Sequence, residues 1–175
     1  MKSKLILIVV LCLISINAQE GFVKKFSLPE NYIKLSRLAQ PGQYFDRIGK
    51  KAALMGFESG TFELWIWPWK VMRNFELQFF LGSSTTPILA ENIVKEISVT
   101  PEAAVITYSY ESFSAKAIIF IPVDKTAAVI LLDINTTEPL SVVPGFIPVL
   151  QPQWPAGIGG QYSYWDDNFK AFIIS

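Results

Sequence analysis

The sequence predicts an all-β fold, an antiparallel β-sandwich, on three observations. Apolar residues alternate with polar ones at a period of two through the tryptophan-rich stretch Gly56 to Gly82 and beyond it. Turn residues recur at short intervals between those runs, marking strands of about 8 to 10 residues joined by short turns in a meander. Ile118 to Ile121 and Val129 to Leu132 are apolar on both faces, so a second layer must cover them.

From its N-terminus, residues 1–18 read as a secretory signal peptide. Lys2 and Lys4 precede an apolar run from Leu5 to Ile14, and Ser15-Ile16-Asn17-Ala18 ends on a small residue suited to cleavage. That run falls short of the ~20 residues needed to span a bilayer. The expectation is an exported chain, periplasmic or extracellular, with no membrane attachment once the signal is removed. Cys12, the sole cysteine, leaves with the signal, so the mature chain has no disulfide.

Residues 19–43 form a poorly periodic lead-in, read as one short helix from Ser27-Leu28-Pro29-Glu30 or an extended segment, closed by Pro41-Gly42. Residues 44–175 make up the sandwich domain. Tyr44 to Met55 reads as a helical turn followed by a strand from Lys51. Gly56-Phe57-Glu58-Ser59-Gly60 turns the chain into the next strand, where Phe62, Leu64 and Ile66 share one face and Glu63, Trp65 and Trp67 the other. Pro68 interrupts the ladder. Phe75, Leu77, Phe79 and Leu81 then line one face of a further strand, and everything that follows reads as further strands of the same sheet.

After the Ser83 to Pro87 loop, Ile88 to Val99 reads as a single strand ended by Pro101. Ala104, Ile106, Tyr108 and Tyr110 alternate with Val105, Thr107 and Ser109, and a tight turn at Glu111-Ser112 leads into Phe113 to Ile121. The turn Pro122 to Lys125 precedes a strand from Ala127 to Asn135, and Thr136 to Pro139 makes a hairpin turn into Leu140 to Val149. Gly157 to Gly160 is a loop. A strand begins at Tyr162 to Trp165, Asp166-Asp167-Asn168 turns it, and Lys170 to Ser175 starts its return. The apolar end Phe172 to Ser175 has no polar tail, so the polypeptide is expected to continue beyond it as a longer protein.

Composition narrows the function. With Lys2 and Lys4 gone, 13 basic residues stand against 15 acidic ones, about −2 in net charge. No basic stripe exists beyond the pairs Lys24-Lys25 and Lys50-Lys51, which speaks against nucleic acid as a partner. The chain contains no histidine, so the usual base of a nucleophilic triad and the commonest metal ligand are missing. No cofactor, metal ligand set or catalytic residue is expected.

Two motifs are set aside. No Lys-Ser/Thr follows the Gly157 to Gly160 run, which therefore lacks a phosphate-loop signature. Asp166 and Asp167 would point to opposite faces of a strand, whereas glycoside hydrolysis needs two carboxyls on one bond, roughly 5 to 9.5 Å apart. Trp65, Trp67 and Trp69 are the candidate carbohydrate-binding residues. They share a parity, and an unbroken strand would present them as a flat aromatic ladder suited to sugar rings.

At GFESGTFELWIWPWKVMRNFELQFFLG, SYESFSAKAIIFIPVDKTAAVILLDI and LQPQWPAGIGGQYSYWDD the chain resembles the N-terminal region of bacterial glycogen-debranching-type proteins, in the six-hairpin glycosidase superfamily. The resemblance runs from about Tyr44 to Ser175. It implies an N-terminal β-sandwich followed by an (α/α)6 barrel that supplies the catalytic carboxylates. The expected partners are thus an α-glucan or oligosaccharide and a downstream catalytic barrel of the same polypeptide. Two alternatives stand beside it, a self-contained exported carbohydrate-binding module and a structural sandwich without ligand.

Overall fold

The computed structural model describes residues 33–152 and 162–174, all within one compact unit, Tyr32–Ser175. The expected signal peptide, the lead-in up to residue 32 and the expected Gly157 to Gly160 loop lie outside the described residues. The fold is an antiparallel sandwich, as the alternation predicts, but its strands divide between two sheets instead of continuing one.

Sheet one runs in the order β1 (Leu35–Leu38), β7 (Val94–Val99), β8 (Ala104–Tyr110), β9 (Phe113–Phe120), β10 (Val129–Thr136). Sheet two runs β11 (Leu140–Pro152), β5 (Trp69–Leu81), β4 (Phe62–Ile66), β3 (Ala52–Phe57), β2 (Tyr44–Ile48), with β6 (Ile88–Leu89) paired to β5. A separate hairpin joins β12 (Ser163–Asp166) to β13 (Ala171–Ile174). The meander holds within β2 to β5 and within β7 to β10. Beyond the β1–β2 link, two connections cross between the sheets.

The first of these is where the sequence reads a single strand. Ile88 to Val99 is broken by one helical turn, α1 (Ala90–Ile93), which lifts the chain from β6 to β7. Ala90 and Ile93 stand three apart, so one turn buries both. That burial outweighs the strand tendency of the flanking Ile, Leu and Val. The second is Thr137 to Pro139, which joins β10 to β11 in the other sheet and is therefore not a hairpin turn. Two further segments differ from the sequence reading. Tyr44 to Ile48 pairs with β3 as a strand, not a helical turn. Leu35 to Leu38, within the lead-in, forms the short edge strand of sheet one, paired with β7.

The core lies between the sheets and follows the alternation. Leu54, Phe62, Leu77 and Phe79 of sheet two meet Ile97, Ile106, Tyr108 and Phe113 of sheet one. Ala115 and Ala117 continue the inward stripe of β9, and their small side chains leave room for bulkier ones opposite. Ile118 and Ile119 are both buried, as two-sided apolarity predicts. Val129 to Leu132, expected to be covered on both faces, are not: the first three are only partly buried and Leu132, like Ile134, is exposed, because β10 is the edge of its sheet. Pro144, Pro148 and Pro152 fall on β11, an edge of sheet two, where the missing N–H groups leave no central ladder bond unmade and discourage pairing with another chain.

Polar ties fix the margins. Glu58, almost wholly buried, accepts hydrogen bonds from the Arg37 guanidinium and from the Gln40 N–H at 2.9 Å, docking β1 onto the β3–β4 turn. Arg47 donates to the carbonyls of Thr100 (3.3 Å) and Pro101 (2.9 Å), bridging the sheets. Burial lowers the Arg47 pKa against the opposing pull of Asp46 and Glu102.

Tyr108 crosses the core to donate from its hydroxyl to the Ser59 carbonyl at 3.2 Å. Burial raises its pKa well above the ordinary value of 10.0. The folded state therefore keeps this proton where the unfolded chain loses it, and the stability it confers is complete below pH 10 and drains away as pH rises beyond. The expected slope from this one group is about 1.4 kcal/mol per pH unit. Urea midpoints measured from pH 9 to 11.5 should fall more steeply for the native chain than for Tyr108→Phe; parallel curves would disprove the assignment.

Candidate functional site

Sheet two turns one face to the core and the other outward, and the outward face of β2 to β5 carries Tyr44, Phe57 and Trp65. Its composition follows from register. Leu54 and Leu64 pair on the inner side, so the intervening pairs Met55 with Glu63 and Ala53 with Trp65 face out. Tyr44 pairs with Phe57 and Asp46 with Met55 on that same side, and Lys70 lies beside Trp65 across the β4–β5 hairpin. The result is a shallow groove of about 330 Å³ lined by Tyr44, Met55, Phe57, Glu63, Trp65, Lys70 and Asn74, among others.

Trp65 is held from two sides. Its Nε1 donates to Glu63 Oε2 at 3.1 Å, and the Lys70 ammonium, ion-paired with the same carboxylate oxygen, sits 4.8 Å from the indole centroid. Trp67 lies in the two-residue loop after β4, and its ring centroid is 5.9 Å from that of Trp65 with the planes 30° apart. These two indoles form a continuous, half-buried aromatic surface. At the other end of the groove Tyr44 and Phe57 meet edge to face at 6.4 Å, 54% and 44% exposed. Partial burial, with Asp46 and Glu63 adding negative charge, raises the Tyr44 pKa above its ordinary value.

The third tryptophan is elsewhere. The chain reverses at Trp67-Pro68, and Trp69 pairs back with Ile66, the neighbour of Trp65 that points to the opposite face. Trp69 is 45% exposed on that side, against Pro152 of β11. The shared parity of the three residues held only for an unbroken strand. A hairpin puts two of them together and separates the third.

The groove also contains residues that sequence reasoning did not single out. Glu63 was legible as a same-face neighbour of Trp65, two positions away. Tyr44, Phe57 and Lys70 were not, because strand pairing alone brings them alongside.

The arrangement offers flat apolar rings for stacking, with a carboxylate, an ammonium, an amide and a phenol nearby for hydrogen bonding. Asp166 and Asp167 are engaged in their turn. Asp166 Oδ1 accepts from the N–H groups of Asn168 (2.8 Å) and Phe169 (3.0 Å), while Asp167 Oδ1 accepts from the Trp165 indole at 3.1 Å. Among the described residues no three His, Cys, Asp or Glu side chains cluster to hold a metal, and no helix is long and apolar enough to cross a membrane. No protein-family model, curated protein or solved structure matches the chain.

Proposed function

We propose that this chain is the non-catalytic N-terminal β-sandwich of an exported glycoside hydrolase of the glycogen-debranching type, and that it contacts α-linked glucan through the outer face of sheet two. The observation that carries this reading is the groove itself, in which the Trp65 indole adjoins Glu63 and Lys70, with Trp67 packed against Trp65 and with Tyr44 and Phe57 beyond. Pyranose rings present flat C–H faces edged with hydroxyls, and such a surface complements both.

Affinity electrophoresis through glycogen-containing gels tests the binding. The native chain should be retarded, and Trp65→Ala should weaken binding at least tenfold, about 1.4 kcal/mol. Tyr44→Ala, at an exposed position, serves as a second variant that leaves the core intact. Migration of the native chain unaffected by glycogen would sink the glucan part of the proposal.

A second contact is favoured by β11, where Val143, Phe146, Ile147 and Leu150 are 45%, 53%, 42% and 39% exposed. Apolar exposure of this extent along one strand suits packing against another domain. In the proposed enzyme that domain is the catalytic barrel. Sequencing the coding region beyond Ser175 tests it, an open frame of repeated amphipathic helices being the supporting result and a stop codon the opposing one.

A further inference from the structure

A second cavity, remote in sequence from the tryptophans, opens at the end of the sandwich where the two sheets part. It is an open hollow with a volume of about 630 Å³. Three connections build it: the β5–β6 loop with Ser84 and Thr86, the β8–β9 turn Glu111-Ser112, and the β10–β11 crossing with Thr137 and Glu138. Hydrogen bonds knit these connections into one frame. Thr137 donates to the Ser112 carbonyl from both its N–H (3.0 Å) and its hydroxyl (3.2 Å), and the Gly82 N–H donates to the Pro139 carbonyl at 2.8 Å. A frame held in this way is organised before any ligand arrives.

We infer that this end cavity is a binding site for a neutral saccharide. The lining contains hydroxyl, phenol and carboxylate groups but no lysine or arginine, a composition that disfavours phosphates and other anions and accepts hydrogen bonds from donors. Among the described residues neither the Glu111 nor the Glu138 carboxylate has a cationic partner. Ser112 Oγ is buried without a hydrogen-bond partner, and it is the single side-chain atom in that condition among the described residues.

Tyr110 completes the site. Tyr110 is 38% exposed and its ring is backed by buried Phe113, centroids 5.9 Å apart, so it offers a supported aromatic surface at the cavity edge. Sugar hydroxyls donating to Glu111 and Glu138, with a ring face on Tyr110, use all three side chains. A polyamine would use the carboxylates alone. Both glutamates are exposed, which weakens their pull on a cation and leaves their capacity to accept hydrogen bonds.

This site stands independently of the groove on sheet two, and one experiment separates them. Titration of the 15N-labelled chain with maltotriose, with cellotriose and with spermidine is followed by the amide resonances of Tyr110, Glu111, Ser112, Thr137 and Glu138. At least one trisaccharide should shift them saturably. Tyr110→Ala should weaken that response at least tenfold, and Glu138→Gln, at an exposed position where folding is unaffected, at least threefold. Trp65→Ala should leave the response at these five residues unchanged while altering the groove. The inference is overturned if neither trisaccharide moves these resonances, if spermidine alone moves them, or if both end-cavity variants respond as the native chain does.

Discussion

Gly60→Ala should cost about 3 to 5 kcal/mol, a large share of the stability of a domain this size. Gly60 adopts φ +89°, a left-handed conformation that costs other L-residues about 1–2 kcal/mol. A Cβ there would overlap the hydroxyl of Tyr108, a core residue only 1% exposed. Tyr108 must then move, giving up its hydrogen bond to Ser59 and its packing on Phe79, 6.0 Å away between centroids. The turn is also closed by the Gly60 N–H donating to the Phe57 carbonyl at 3.0 Å.

A double-mutant cycle assigns the cause. Tyr108→Phe alone should cost about 1 kcal/mol through the lost hydrogen bond. In the Gly60→Ala background the same change should be stabilising, because it removes the colliding oxygen. Urea denaturation of the four proteins measures this. Additive effects would mean that the backbone conformation, and not the Tyr108 contact, demands glycine.

Phe79→Ala is expected to be as severe, about 3–5 kcal/mol. Phe79 is fully buried on β5, and its ring stacks on Phe113 of the opposite sheet at 4.9 Å as well as against Tyr108. It is thus a direct link between the layers. The facing Ala115 and Ala117 cannot grow to fill the space it vacates, so a cavity persists. The urea midpoint should fall with the slope of the transition unchanged, and Phe79→Leu should recover more than half of the loss. A loss below about 1 kcal/mol for the alanine variant would show that the sheets can close over the gap.

Within each strand the inward residues are legible in the alternation alone. Leu77 and Phe79 on β5, Ala104, Ile106 and Tyr108 on β8, and the Glu111-Ser112 turn follow from a period of two and from turn chemistry, both local properties. The Asp166-Asp167-Asn168 turn is legible for the same reason, since an aspartate closes it with its own side chain. Departures gather where a non-local contact competes with a local tendency. Ala90 to Ile93 winds into a helical turn to reach the second sheet, and Leu35 to Leu38 becomes a strand because β7 offers it a partner.

The aromatic groove shows the same division. Trp65 is visible beside Glu63 at two-residue spacing, and Trp67 adjoins it. The loop at Trp67-Pro68 sends Trp69 to the other face, and pairing among β2, β3, β4 and β5 adds Tyr44, Phe57 and Lys70. The sequence by itself determined the strand class, the inward face of each strand and the presence of an aromatic-rich segment, because alternation acts between neighbours along the chain. Only the tertiary structure decided which sheet each strand joins, where the chain crosses between layers, and which side chains share a groove. Those outcomes depend on pairing between residues distant in sequence, whose energies no local pattern records.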